Sequence, residues 1–185
     1  ILRIFLVPVI VIIPFLGIKG EFLGIGIDFW IMNLIFIIAS ITDKLDGYIA
    51  RSRNLVTNFG KFLDPIADKI LVLTAMLILV EKQMLPAWIP VIVLTREFVV
   101  SAYRLIAVEQ GGKVIPASVW GKLKTVTQMI AIILAFININ GTNTFFGFIK
   151  GGLSPLELTI NIATSIMLLV SVVATIFSGW DYIKG

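Results

Sequence analysis

The sequence predicts an all-α integral membrane protein, a single domain over residues 1–185 with six transmembrane helices. Of the 185 residues, 58% are hydrophobic and only 14% are charged, whereas a soluble domain carries about 25% charged residues. The apolar residues also form long blocks and not amphipathic patterns. Such blocks indicate that lipid is the surrounding solvent.

Six stretches are long and apolar enough, or nearly so, to cross a hydrocarbon core, which takes about 20 residues. They are Ile1 to Gly17, Phe29 to about Arg51, Phe62 to Val80, Ala87 to Val108, Gly121 to Ile139, and about Leu156 to Phe177. The connections between them are short, and none is long enough to separate two domains. The chain opens inside an apolar run and without a signal peptide, so we expect natural residues to precede Ile1.

Basic residues collect in the second and fourth connections between the predicted spans. The two sets are Arg51, Arg53 and Lys61, and Lys113, Lys122 and Lys124. Because cytoplasmic loops of membrane proteins carry an excess of Lys and Arg, we expect both connections and both termini to face the cytoplasm. We therefore predict a multi-pass protein of the cell membrane. The net charge of +4 lies in short loops, which fits anionic lipid and predicts no nucleic-acid partner.

The chain contains no cysteine and no histidine. This composition excludes disulfides, thiolate nucleophiles, Cys/His zinc sites and a histidine general base. Any chemistry must come from Asp, Glu, Lys, Arg, Ser, Thr or Tyr.

The second predicted span changes from apolar to acidic at Asp43. Two carboxylates, two small residues and an arginine then follow at positions i, i+3, i+4, i+7 and i+8. These residues are Asp43, Asp46, Gly47, Ala50 and Arg51. On a helix they share one face.

A second stripe follows eight residues later, where Gly60, Asp64 and Asp68 stand at i, i+4 and i+8. The intervening residues, 52–59, are few and polar enough to turn the chain. We therefore predict two antiparallel neighbouring helices whose four carboxylates converge at one depth in the membrane.

Four converging carboxylates need compensation, because each costs about 2.5–3.5 kcal/mol near a helix centre and because like charges repel. Mg²⁺ or Mn²⁺ would satisfy them, since both prefer hard oxygen ligands, and two such ions could clamp a phosphoryl group. The predicted ligands are Asp43, Asp46, Asp64 and Asp68. Gly47, Ala50 and Gly60 would let a ligand approach closely, and Arg51 would bind phosphate.

Two alternatives remain open from the residues alone. The acids could pair with nearby cations in a structural network, or they could form the ion path of a proton- or cation-coupled transporter. The candidate cations are Lys44, Arg51, Lys61 and Lys69. Pro65 also allows two interpretations, because it could begin a helix capped by Asp64 or kink one that begins near Asn58.

The pattern Asp43-x-x-Asp46-Gly47-x-x-Ala50-Arg51, eight residues, Gly60-x-x-x-Asp64-x-x-x-Asp68 resembles the complete signature of the CDP-alcohol phosphatidyltransferases. The resemblance implies a six-helix membrane fold, usually a homodimer, with a cytoplasm-facing polar active-site cavity. It implies that the four aspartates bind metal and that Asp68 is also the base that deprotonates the acceptor alcohol. Gly47, Ala50, Arg51 and Gly60 match positions that line the CDP site. Family members usually carry an Asn-containing amphipathic stretch that ends in Arg before the first span, and here only Arg3 could correspond.

Cations in the second half of the chain suggest an anionic acceptor, such as a phosphorylated polyol. The candidates for binding the acceptor phosphate are Arg96, Arg104, Lys122 and Lys124. The alternative is loop charge together with a snorkelling arginine.

Residues 54–61, 96–104 and 121–128 resemble the phosphatidylglycerophosphate synthase branch of this family. That resemblance implies CDP-diacylglycerol and glycerol 3-phosphate as substrates, with phosphatidylglycerophosphate and CMP as products. The same chemistry with inositol phosphate or serine as acceptor stays open.

Overall fold

The computed structural model describes the backbone of residues 2–52, 58–109 and 119–184. Side chains are described over the same ranges except at positions 2–4, 43–52, 58–65, 68, 104, 105, 107–109 and 182–184.

Six α-helices account for most of the described residues. They are α1 (Leu2–Ile12), α2 (Ile27–Ser52), α3 (Asn58–Glu81), α4 (Trp88–Glu109), α5 (Val119–Phe136) and α6 (Pro155–Lys184). Each overlaps one of the six predicted apolar stretches, so a mostly helical structure with six helices is confirmed for the described residues. That all six cross a membrane stays a prediction. The start of α3 at Asn58 places Pro65 inside the helix, which decides between its two interpretations.

The first helix is shorter than its apolar stretch. It ends at Ile12, and a 3-10 turn over Ile13–Leu16 follows. Pro14 lies in this turn and lacks the N–H that an α-helix needs. Gly17, with φ of 59°, closes the turn in the left-handed region that glycine adopts readily.

A short hairpin, β1 (Glu21–Phe22) and β2 (Ile25–Gly26), lies between α1 and α2. The strands are antiparallel, with Phe22 opposite Ile25. Leu23 and Gly24 both have positive φ, as the tightest hairpin turns require. The sequence analysis did not predict these strands, and they are a small addition to the all-α prediction.

The fifth connection between helices contacts both the first and the third. The Gly24 carbonyl of the first connection accepts a hydrogen bond from the Asn140 N–H of the fifth at 2.7 Å. The Met84 carbonyl of the third accepts one from the Phe145 N–H, also of the fifth, at 2.9 Å. Alternating up and down helices would bring these three connections to the same end of a bundle.

All six helices contribute side chains to the core. Phe36 and Phe136 are fully buried there, with ring centroids 6.4 Å apart, and Met32, Leu71 and Ile132 pack in the same cluster. Burial of apolar side chains against one another fills the space between helices at the density of a protein interior.

The last helix packs against α5 and α4 through a buried polar face. The residues of this face are small or hydrogen-bonded: Asn161, Thr164, Ser165, Ser171, Thr175 and Ser178. Small polar side chains let helix backbones approach closely where no water is available. Thr175 satisfies its hydroxyl by donating to the Ser171 carbonyl at 2.6 Å.

Many large apolar side chains point outward. Phe5, Phe15 and Phe98 are 69%, 76% and 67% exposed. By length and composition, the described helices include two that could cross a membrane, namely Val119–Phe136 and the stretch Pro155–Asp181 of α6. Phe5–Leu16 and Ile27–Thr42 are shorter apolar helical stretches. An outer surface this apolar fits a lipid environment and not water.

Candidate active site

Both halves of the acidic signature lie on helices. The first half, from Asp43 to Arg51, falls within α2, and the second half, from Gly60 to Asp68, falls within α3. Helical geometry therefore applies to the spacings i, i+3, i+4 and i+7, which put each set on one helix face. The side chains of these residues lie outside the described set. The convergence of the four carboxylates therefore stays a prediction.

The third, fourth and fifth helices together hold a cluster of charged side chains, here called the Glu97 cluster: Lys69, Arg96, Glu97 and Lys124. The Oε1 atom of Glu97 accepts from Lys124 Nζ and from Arg96 Nη1, the latter at 3.1 Å. Its Oε2 atom lies 3.5 Å from Lys69 Nζ. One carboxylate on α4 thus joins cations on α3, α4 and α5.

Two serines extend this cluster. Lys69 Nζ donates to Ser101 Oγ at 2.6 Å, and the Arg96 guanidinium donates to Ser178 Oγ on α6. The neighbouring Gly179 packs beside Arg96, where a Cβ would make an ordinary contact of 3.5 Å with Arg96 Cγ. Four of the six helices therefore meet at these charges.

The Glu97 cluster carries more positive than negative charge. It contains three cations and one carboxylate, counted over the side chains that the structure describes. The exposed fraction of the side chain is 7% for Lys124, 13% for Arg96 and 18% for Glu97, and it rises to 40% for Lys69. Buried cations need nearby anions, because their loss of hydration is otherwise uncompensated. An incoming anion would therefore be favoured here.

A cavity of about 280 Å³ adjoins the cluster between α3 and α4. Its polar end is formed by Lys69, Glu97 and Ser101, whereas most of its wall is apolar, with Ile70 and Phe98 among the lining residues. This cavity joins the charged cluster to the exposed apolar surface of the helices.

The structure separates the two lysines that the sequence analysis grouped on α5. Lys124 is buried in the Glu97 cluster, whereas Lys122 is exposed. Residues two apart on a helix point to different sides, which explains the difference. Of the other two predicted phosphate-binding residues, Arg96 joins the cluster, and Arg104 lies on α4 with its side chain outside the described set. Binding of an acceptor phosphate by any of the four stays a prediction.

Sequence reasoning missed several members of this site. Lys69 was considered only as a partner of the signature acids, but its described contacts are with Glu97 and Ser101. Ser101 stands four residues after Glu97, so helical spacing could have placed both on one face. No sequence signal pointed to Ser178, because its contact with Arg96 joins positions 82 residues apart.

Comparison with known proteins assigns the chain to a family. The family model described as CDP-alcohol phosphatidyltransferase matches residues 1–177. The chain belongs to the CDP-alcohol phosphatidyltransferase family. The resemblance drawn from the signature is thereby confirmed.

Individual relatives agree with this assignment. The CDP-diacylglycerol–glycerol-3-phosphate 3-phosphatidyltransferase of Bacillus subtilis is 43% identical over 150 residues, which are 80% of this chain and 69% of the relative. The Haemophilus influenzae protein of the same name is 42% identical over 136 residues, 71% of this chain and 69% of the relative. A probable phosphatidylglycerophosphate synthase of Mycobacterium tuberculosis is 36% identical over 182 residues, 98% of this chain and 76% of the relative.

CDP-alcohol phosphatidyltransferases are generally metal-dependent, and the donor set of this chain fits that requirement. All four signature acids are aspartates, which offer the hard oxygen ligands that Mg²⁺ and Mn²⁺ prefer. Among the side chains that the structure describes, no three potential ligands come together. That set does not include the signature aspartates.

Proposed function

We propose that this protein transfers a phosphatidyl group from CDP-diacylglycerol to glycerol 3-phosphate, giving phosphatidylglycerophosphate and CMP in phospholipid biosynthesis. The observation that carries this proposal is the 43% identity, over 80% of the chain, to the Bacillus subtilis protein named for that reaction. The complete acidic signature supports it independently of that name.

The arrangement that we propose in the membrane is a single domain of six spans with both termini on the cytoplasmic side. Six α-helices and the contacts among the first, third and fifth connections support it. The lysines and arginines in and next to the second and fourth connections support the orientation, with Lys122 and Lys124 near the start of α5. We further propose a homodimer, on the strength of the family resemblance, and an active site that opens to the cytoplasm.

The proposed metal ligands are Asp43, Asp46, Asp64 and Asp68. Gly47, Ala50, Arg51 and Gly60 would line the site of the CDP group, with the small residues admitting the ligand and Arg51 pairing with a phosphate. When bound, two Mg²⁺ or Mn²⁺ ions would supply the positive charge that polarises the phosphoryl centre.

The Glu97 cluster supports an anionic acceptor. Lys124 is buried and Arg96 is partly buried, and they come from neighbouring helices. Among the side chains that the structure describes, these two cations and Lys69 outnumber the one carboxylate of the cluster. Such fixed cations bind a phosphate monoester better than an uncharged alcohol. The cluster also reaches the segment of α3 that carries the proposed base, since Lys69 directly follows Asp68. Arg104 and Lys122 complete the proposed set.

The reaction that we propose is a direct displacement. The acceptor hydroxyl oxygen attacks the phosphorus atom that carries diacylglycerol, and Asp68 takes the hydroxyl proton. A new P–O bond forms to the acceptor, and the bond between that phosphorus and the CMP oxygen breaks. CMP leaves with the bonding electron pair, so no covalent enzyme intermediate is needed.

Release of CMP from CDP-diacylglycerol, measured with one candidate alcohol at a time, tests this function. With Mg²⁺ or Mn²⁺ present, glycerol 3-phosphate should support release, whereas serine and inositol phosphate should not. Chelation should abolish the activity, and added metal should restore it. Release with serine or inositol phosphate alone would reassign the acceptor. Absence of CMP release with every alcohol would favour the transporter alternative.

A further inference from the structure

Glu97 contacts the cations that we propose bind the acceptor phosphate. Its Oε1 atom accepts hydrogen bonds from Lys124, which is buried, and from Arg96, which is partly buried; both are among the proposed phosphate ligands. Its Oε2 atom faces Lys69 instead, at 3.5 Å. The two oxygens of one carboxylate therefore have different partners.

We propose that Glu97 is an internal counterion that occupies the phosphate position of the acceptor site and gives it up when the acceptor binds. This inference rests on the proposed function. Glu97 is accordingly a positioning residue that sets the affinity for the acceptor, and it does not touch the reacting atoms.

Burial explains why a counterion is needed. The side chains of Lys124 and Arg96 are 7% and 13% exposed, and both lie on helices that we propose to span the membrane. Without an anion, two neighbouring cations would repel each other and lack compensation for lost hydration. Among the described side chains, Glu97 supplies that compensation before the acceptor binds.

Charge explains why the phosphate can replace it. A phosphate monoester carries about −1.5 to −2 charges at neutral pH and three acceptor oxygens, against one charge and two oxygens for a carboxylate. Glu97 keeps a partner when it is displaced, because Lys69 is bound to its other oxygen and is 40% exposed. The exchange therefore leaves no charge unpaired.

The test is the Michaelis constant of the Glu97→Gln variant, which keeps the shape of the side chain and removes its charge. If Glu97 competes with the acceptor, its removal enlarges the fraction of sites ready to bind. KM for glycerol 3-phosphate should then fall roughly three- to tenfold. Inhibition by inorganic phosphate should become stronger by a similar factor, whereas KM for CDP-diacylglycerol should not change.

Glu157→Gln is the matched control. Glu157 is a buried glutamate at the first turn of α6, where it pairs with Asn140 and Ser154. It stands 21 residues before Ser178, which is about 30 Å along a helix. Its substitution should leave KM for glycerol 3-phosphate and inhibition by phosphate unchanged.

An unchanged or raised KM in a folded Glu97→Gln enzyme overturns the counterion role. If that variant fails to accumulate, Glu97→Asp replaces it. The shorter carboxylate of aspartate holds Lys124 less closely, so KM for glycerol 3-phosphate should fall by a smaller factor. An unchanged or raised KM again overturns the role. If the wild-type enzyme releases no CMP with glycerol 3-phosphate, the proposed function fails. A normal wild-type rate with no fall in the variant's KM contradicts only the role of Glu97.

Discussion

Lys122 and Lys124 differ in their surroundings, although they are chemically identical and only two positions apart. The exposed Lys122 keeps its hydration, whereas Lys124 is buried and depends on Glu97 for its charge. Their contributions to binding should differ for the same reason. A hydrogen bond to a charged group counts for most where water is excluded.

We expect Lys124→Gln to raise KM for glycerol 3-phosphate about 10- to 100-fold, since a charged hydrogen bond contributes about 1.5–3 kcal/mol. Lys122→Gln should have a clearly smaller effect. Lys150→Gln, an exposed lysine in the fifth connection, serves as a control that should change nothing. Steady-state rates of CMP release over a range of glycerol 3-phosphate concentrations give KM for each variant. Equal effects at positions 122 and 124 would contradict the proposed acceptor site.

Asp68 is the residue on which the proposed chemistry depends most. Asp68→Asn removes both a base and a metal ligand, and we expect the turnover number to fall at least about 100-fold. The thermal stability of the protein should fall far less. Asp181→Asn, at an exposed position near the end of α6, is the matched control and should keep its activity. A variant at position 68 with nearly normal turnover would exclude the role of base.

At the level of elements, the buried amide of Asn161 is one of the side chains that fix the fifth connection to α6. The Asn161 side chain is 0% exposed; its Oδ1 accepts from the Phe148 N–H at 2.9 Å, and its Nδ2 donates to the Thr144 carbonyl at 2.8 Å. Gly147 belongs to the same contact, because a Cβ there would lie 2.8 Å from Asn161 Nδ2. This network lies near the start of α6, whereas Ser178, which contacts the Glu97 cluster, lies near its end.

Loss of this amide should destabilise the protein without changing its substrate affinity. Asn161→Ala leaves buried backbone groups without partners, and we expect a loss of about 1–3 kcal/mol in the free energy of unfolding. Thermal unfolding in detergent measures the change. Thr159→Ala, which removes an exposed hydroxyl bound to the Pro155 carbonyl, should have little effect. An Asn161→Ala variant as stable as wild type would show that this network contributes little.

For the whole molecule, the question is how the six helices lie across the membrane. The fifth connection contacts the first and the third, which fits helices that alternate in direction. The basic second and fourth connections would then lie on the other side, and the positive-inside tendency places that side in the cytoplasm.

Single introduced cysteines can test this arrangement directly, because the chain contains no cysteine of its own. Cysteines at Lys19 and Lys150 should react with an impermeant thiol reagent added outside intact cells. A cysteine at Lys122 should react only after the membrane is opened. All three positions are exposed. Labelling of all three from one side would contradict the six-span topology.

The sequence by itself determined the helices, the family and the acidic signature. Apolar blocks, and the spacing of Asp43, Asp46, Asp64 and Asp68, are local patterns that a 3.6-residue helix converts directly into faces. Even so, local pattern did not predict the hairpin over Glu21–Gly26, whose Leu23 has the positive φ that few side chains adopt.

Only the tertiary structure decided which charges meet. Glu97 binds Lys69, 28 positions earlier, and Lys124, 27 positions later, and Arg96 binds Ser178. Such pairs depend on how helices pack and rotate against one another, which follows from the whole core and not from any single stretch of sequence. For the same reason, the sequence placed Lys122 and Lys124 together and the fold buried only Lys124.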